Sequence, residues 1–161
     1  MKDNMRSEEF HPDGTYVKAS LDDAAKDRIY ELMDALNLNN RVPRDDLHTT
    51  IMYSRKPCPD AIEMNGTAVP FRAKISDFKI WEDRGSGSNC LVAVVECDPL
   101  RNIHEHMHLK YDATYDFPEF IPHITLSYDC GDLQPELPAE DYIVKYTTLS
   151  VKPLKPLWTG D

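Results

Sequence analysis

The chain has no excess of positive charge: its 18 lysines and arginines stand against 28 aspartates and glutamates, a net charge of −10. Long nucleic acids are held by many Lys and Arg contacts to phosphates, so an acidic surface argues against a polymer-binding protein. A small anion stays admissible, because one local site can be favourable on an acidic protein. No apolar run approaches the ~18 residues that a membrane span needs. The charged stretch Met1 to Asp13 has no apolar core of the kind a signal peptide carries. The four cysteines (Cys58, Cys90, Cys97, Cys130) form no C-x-x-C pair. Cys90 and Cys97, seven apart on one expected strand, point to opposite faces. Reduced thiols in a cytoplasm are the simplest expectation. The stretch Gly85-Ser86-Gly87-Ser88 lacks the Lys-Ser/Thr ending of a P-loop and the wider spacing of a dinucleotide fingerprint, so it reads as a hairpin turn.

What the chain does contain is one phrase written twice. His48-Thr49-Thr50-Ile51-Met52-Tyr53 and His123-Ile124-Thr125-Leu126-Ser127-Tyr128 both read His-x-Thr, aliphatic, x, Tyr. With 6 histidines and nine threonines in 161 residues, a single His-x-Thr triplet is expected about 0.3 times by chance. Two copies that also agree in the aliphatic residue and the Tyr are far harder to obtain by accident. Both copies are rich in strand formers. Residues two apart on a strand share a face, so each copy sets an imidazole beside a threonine hydroxyl and sends the aliphatic residue and Tyr to the other face.

The surroundings repeat as well. A strand-like run from Gly14 to Ala19 and a helical stretch from about Leu21 to Leu36 precede the first copy. A strand-like run from Cys90 to Cys97 and a helical stretch from about Pro99 to Tyr111 precede the second. His48 follows Gly14 by 34 residues and His123 follows Cys90 by 33. The chain therefore reads as a single domain, 1–161, built from duplicated strand-helix-strand halves at about 14–54 and 90–129, one His-Thr pair facing the other. Ser20 to Asp23 fits a capping box for the first helix. The alternation of Phe71 to Trp81 slips near Asp77, which predicts a bulge. Leu91 to Val95 reads as a buried strand, Asp129 to Asp141 as an acidic, proline-rich loop and candidate lid, and Tyr142 to Val151 as a last long strand.

One competing motif is His104-Glu105-His106-Met107-His108, which matches the H-E-x-x-H zinc pattern. It has no recognisable third ligand downstream, and the twin helix carries nothing like it. The expectation is therefore a half-exposed helix with histidines on its flanks, and no metal or other cofactor.

Two imidazoles facing each other suit phosphodiester cleavage without a metal. The neutral one takes a proton from the attacking hydroxyl and the protonated one gives a proton to the leaving oxygen. Threonine hydroxyls can donate to the non-bridging oxygens, which gain charge in the transition state.

On these residues the sequence resembles the two-histidine phosphoesterase superfamily. More narrowly, Leu47-His48-Thr49-Thr50-Ile51-Met52-Tyr53-Ser54-Arg55-Lys56-Pro57, with the opening Gly14-Thr15-Tyr16, resembles the bacteriophage anti-CBASS phosphodiesterases. The resemblance implies an α+β, bilobal fold of two antiparallel sheets related by a pseudo-twofold around a central cleft. It implies hydrolysis of 3′–5′ bonds in cyclic di- and trinucleotide immune signals, without metal, through the ribose 2′-hydroxyl. His48, Thr50, His123 and Thr125 match the family's catalytic positions, and Tyr16 and Trp158 its base-holding aromatics. It places the protein in the cytoplasm of an infected host, with a cyclic oligonucleotide as its partner and no obligate protein partner. Two alternatives stay open: a phosphodiesterase of 2′,3′-cyclic phosphates or linear RNA ends, and a catalytically silent nucleotide-binding protein.

Overall fold

A computed structural model describes residues 14–82, 85–138 and 140–154. The amino-terminal stretch Met1 to Asp13 and Trp158 lie outside the described residues. Six strands and two helices carry the fold, in the order β1 (Thr15–Leu21), α1 (Asp23–Ala35), β2 (His48–Ser54), β3 (Arg72–Glu82), β4 (Asn89–Glu96), α2 (Asp98–Tyr111), β5 (His123–Ser127) and β6 (Ile143–Pro153). The order strand-helix-strand occurs twice, as β1-α1-β2 and as β4-α2-β5, and a His-x-Thr phrase opens β2 and β5.

The expectation of two antiparallel sheets is corrected. The strands form one six-stranded sheet in the order β2-β1-β6-β3-β4-β5, antiparallel throughout. The reason is β6. It is 11 residues long, enough for Tyr146 to Pro153 to pair with β1 while Ile143 to Lys145 pair with β3. One strand therefore joins both halves, and nothing in its composition announces a shared partner.

The helices cover one face of this sheet. Ile29, Leu32 and Met33 of α1 and Leu100 and Met107 of α2 are fully buried against Val17, Ala19, Ile51, Leu91 and Ile124. The first helix starts two residues later than its capping-box pattern predicts. Asp22 is the cap, its carboxylate accepting from the Ala25 amide at 2.8 Å, because Ser20 and Leu21 stay in β1. The predicted slip in β3 is present, between Ile75 and Asp77.

The sheet curls until its two edge strands, β2 and β5, come into contact. Each half braces the other's edge. Val42, from the connection between α1 and β2, donates its amide to the Leu126 carbonyl of β5 at 2.9 Å. The Ser127 hydroxyl donates to the Asn39 carbonyl at 2.7 Å. In return, Thr114, beyond α2, donates its amide to the Ser54 hydroxyl at 3.0 Å at the end of β2. Closing the edges in this way brings the two His-x-Thr strands together on the face that the helices leave open.

Candidate active site

The repeated phrase encodes a bulge as well as a strand. In β2, Thr50 faces Lys18 and Met52 faces Val17, so Ile51 has no partner of its own. In β5, Thr125 faces Val92 and Ser127 faces Leu91, so Leu126 is the extra residue. A one-residue bulge reverses the side-chain alternation beyond it. Ile51 and Met52 are therefore both buried, as are Leu126 and Ser127. Tyr53 then emerges opposite Tyr16, on the same face as His48 and Thr50. Strict alternation sends the Tyr of each phrase to the far face; for Tyr53 the bulge is the physical reason that it does not go there.

The bulges leave carbonyls that the ladder cannot use. The Leu126 carbonyl takes the Val42 amide. The Ile51 carbonyl takes Nδ1–H of His104, at 2.7 Å. The zinc-like motif is thereby explained. His104 lies inward, buried, with its ring stacked on Phe120 at 4.1 Å and 3°, so it is not on the helix flank where the sequence put it. His108 donates Nδ1–H to the Ala113 carbonyl at 2.7 Å.

Both phrase histidines are oriented alike. His48 Nδ1 lies 2.6 Å from the Asp46 carbonyl and His123 Nδ1 lies 2.7 Å from the Ile121 carbonyl, in each case two residues back. A carbonyl only accepts, so Nδ1 carries the hydrogen and Nε2 presents a lone pair in the neutral ring. On His48 that lone pair meets the Tyr16 hydroxyl at 2.8 Å, and the same oxygen lies 3.1 Å from Thr50 Oγ1. Donor assignment then runs one way: Thr50 O–H donates to Tyr16, and Tyr16 O–H donates to His48. The Tyr16 ring stands edge-on to His48 and to Tyr53.

Burial pulls both imidazoles below their ordinary range. For His48 burial is the largest cause, and positive charge on Lys18 and on His123 adds to it, against the pull of the Asp46 carbonyl. A positive charge on His123 thus disfavours one on His48. For His123, burial acts against the Ile121 carbonyl alone. Burial also raises Tyr16, which stays a protonated donor. Thr125 lies half-buried two residues beyond His123, on the same face.

The sequence missed one aromatic. The Trp81 ring lies 4.6 Å from that of His123 at 80°, and its side chain is 37% exposed. A lone Trp at the end of an irregular strand gives no periodic signal, and the slip at Asp77 hides which face it takes. Trp81 pairs with Cys90, whose strand neighbour is β5.

Among solved structures the fold is similar to that of a phosphoesterase, at TM-score 0.60 and 17% identity over 88% of this chain and 87% of that one. It is similar also to E. coli LigT complexed with 3′-AMP, at TM-score 0.59 and 15% identity over 88% and 87%. At these identities the likeness concerns the fold alone. In sequence, the chain is 35% identical over 151 residues to the anti-CBASS protein Acb1 of Yersinia phage phiR1-RT, covering 92% of this chain and 94% of that one. It is 34% identical over 116 residues to that of Vibrio phage KVP40, covering 72% and 73%, and 35% identical over 121 residues to that of Enterobacteria phage T4, covering 74% and 75%. Residues 13–160 match the family described as Anti-CBASS protein Acb1, and the chain belongs to that family.

Proposed function

We propose that the chain is a metal-independent phosphodiesterase that opens the 3′–5′ bonds of cyclic di- and trinucleotides, and that it thereby removes the signals of host CBASS defence inside the infected cell. The observation that carries this reading is the matched pair of imidazoles. Each has its Nδ1 tied to a backbone carbonyl two residues back, which leaves Nε2 as the working nitrogen on the shared open face. The same halves, with twin bulges and reciprocal bracing, support a single domain with an internal pseudo-twofold.

His48 is the better general base, because Lys18 and His123 both disfavour a proton on it. His123 is then the general acid. The 2′-hydroxyl gives its proton to His48 Nε2 as its oxygen bonds to phosphorus. The P–O5′ bond breaks, and the departing oxygen takes a proton from His123. Water opens the resulting 2′,3′-cyclic phosphate with the roles reversed. Thr50 and Thr125 donate to the non-bridging oxygens. The attacking hydroxyl belongs to the same molecule as the phosphorus, so much of the positioning entropy is already lost before binding. The Tyr16 hydroxyl occupies the place on Nε2 that the 2′-hydroxyl takes. Tyr16 is only 8% exposed, so Trp81, with more of its ring in solvent, is the better platform for a base in this arrangement.

The test is incubation with a 3′,3′-linked cyclic dinucleotide, its 2′-deoxy counterpart and linear RNA, read by mass spectrometry. The ribose-containing cyclic dinucleotide should be linearised and its deoxy analogue should survive. Equal cleavage of the deoxy analogue would remove the 2′-hydroxyl step. Cleavage of linear RNA alone would move the protein to RNA-end chemistry, and binding without any cleavage would make it a silent binder.

A further inference from the structure

The open face carries two lysines that neither take nor give a proton in the proposed cleavage. Tyr16 and Lys18 share one face of β1. Across the ladder on one side, Lys18 faces Thr50 and Tyr16 faces Tyr53. On the other side, Tyr16 faces Lys152 of β6. Partners across an antiparallel ladder share a face. Lys18, Tyr16 and Lys152 therefore line the same surface as His48 and Thr50, with Lys152 one row, roughly 7 Å, further from the histidine than Lys18. Lys152 Nζ stands 5.9 Å from the centre of the Tyr16 ring.

Lys18 and Lys152 sit on adjacent strands of this face, near enough for the charge of Lys152 to act on Lys18. Among the described residues neither forms an ion pair. Burial and then the charge of Lys152 make Lys18 easier to deprotonate than an ordinary lysine, while Asp46 opposes this more weakly. On a chain of net charge −10, two cations held together beside a reactive pair are unfavourable unless an anion joins them.

We propose that Lys18 and Lys152 form a second phosphate subsite, which holds the phosphodiester of a cyclic oligonucleotide that is not being cleaved. This rests on the cyclic-oligonucleotide reading above. A cyclic di- or trinucleotide has at least two phosphates. One lies between the His-Thr pairs, and the next must meet the face along which these lysines project. The subsite would explain how an acidic protein selects a compact, multiply charged ring without attracting long nucleic acid.

Binding separates this proposal from the cleavage chemistry. The probes are the 2′-deoxy cyclic dinucleotide, which cannot be opened through a 2′-hydroxyl, and a linear dinucleoside monophosphate, which has one phosphate. Calorimetry is run on the wild-type chain and on Lys18→Gln and Lys152→Gln, with thermal melts to confirm that each is folded. Charge-assisted contacts of this kind are worth about tenfold in affinity. Each substitution should weaken the cyclic probe about tenfold, flatten its salt dependence and leave the linear probe unchanged. Unchanged affinity for the cyclic probe would overturn the subsite while leaving the cleavage chemistry standing. Equal weakening of both probes would overturn it too, assigning the lysines to the scissile phosphate. Failure of the wild-type chain to linearise the ribose-containing cyclic dinucleotide would instead strike the functional reading, whatever the lysines do.

Discussion

The Tyr16 hydroxyl lies between His48 Nε2, at 2.8 Å, and Thr50 Oγ1, at 3.1 Å. It ties the imidazole and the threonine of the first phrase into one directed chain. A donor to the lone pair of the neutral ring favours that form, so the Tyr16 bond works in the same direction as burial, which lowers the His48 pKa. Removing the hydroxyl should raise the His48 pKa. We expect Tyr16→Phe to show this rise in an NMR titration of the His48 ring, with turnover within about tenfold of wild type, since on the proposed mechanism the 2′-hydroxyl takes that place on His48. Tyr16→Ala should lose more, because it also removes the ring packed against Tyr53. A lower His48 pKa in the Phe variant would show that the hydrogen bond runs the other way.

The proposed acid-base division of labour predicts that neither phrase can be spared. His48→Ala and His123→Ala should each lower kcat by ~10² to 10⁴ while the fold is retained. The double variant should be little worse than either single one, because the pair acts as a unit. Thr50→Val and Thr125→Val should lose less, each removing one donor. Circular dichroism would confirm the fold. A near-wild-type rate in either histidine variant would remove that residue from the mechanism.

Much of this arrangement was legible in the residues. The doubled phrase, its near-equal offsets and the apolar stripes before it located both histidine strands and both helices. Three things were not. The joining role of β6 depends on its length relative to β1, which no local pattern encodes. The bulge in each phrase is written in an odd spacing: Tyr53 stands five residues after His48, and only a register shift brings it to the same face. His104 was readable as a metal ligand or a flank residue, because its use depends on the bulge carbonyl that it meets across the fold. Its ligand-like spacing and its structural use look identical in sequence.

Burial holds His48, His104 and His123 below the ordinary imidazole range. The bell of kcat/KM against pH should therefore peak on the acid side of about 6.5. The kcat profile should lie at higher pH, since a bound phosphate favours the imidazolium. A kcat/KM maximum above pH ~8 would contradict both assignments. The same shifts set a sign for stability. The unfolded chain binds protons that the folded chain refuses, so the contribution is fully present above the unfolded value of about 6.5 and is lost as pH falls through the lower folded values. The melting temperature should be level near pH 7 to 8 and decline on acidification.

His104 gives the sharpest separation between structure and metal chemistry. Its Nδ1–H satisfies the Ile51 carbonyl, and Ile51 is the bulge residue directly after Thr50. His104→Phe keeps the ring and its stack on Phe120 but leaves that buried carbonyl without its donor. The cost of such a group is ~1 to 3 kcal/mol, which for a domain of this size lowers Tm by about 2 to 4 °C per kcal/mol. Thr50 should also lose its fixed position, so kcat should fall at temperatures where the variant is fully folded. His108→Phe is the control: His108 is exposed and its Nδ1 bonds the Ala113 carbonyl, away from the bulge. That variant should melt and turn over much as wild type does. Activity of the wild-type chain should be indifferent to EDTA and to added zinc. If instead chelation abolished turnover and zinc restored it, or if both histidine variants lost activity equally, the two residues would belong to a metal site and the bulge would need another anchor.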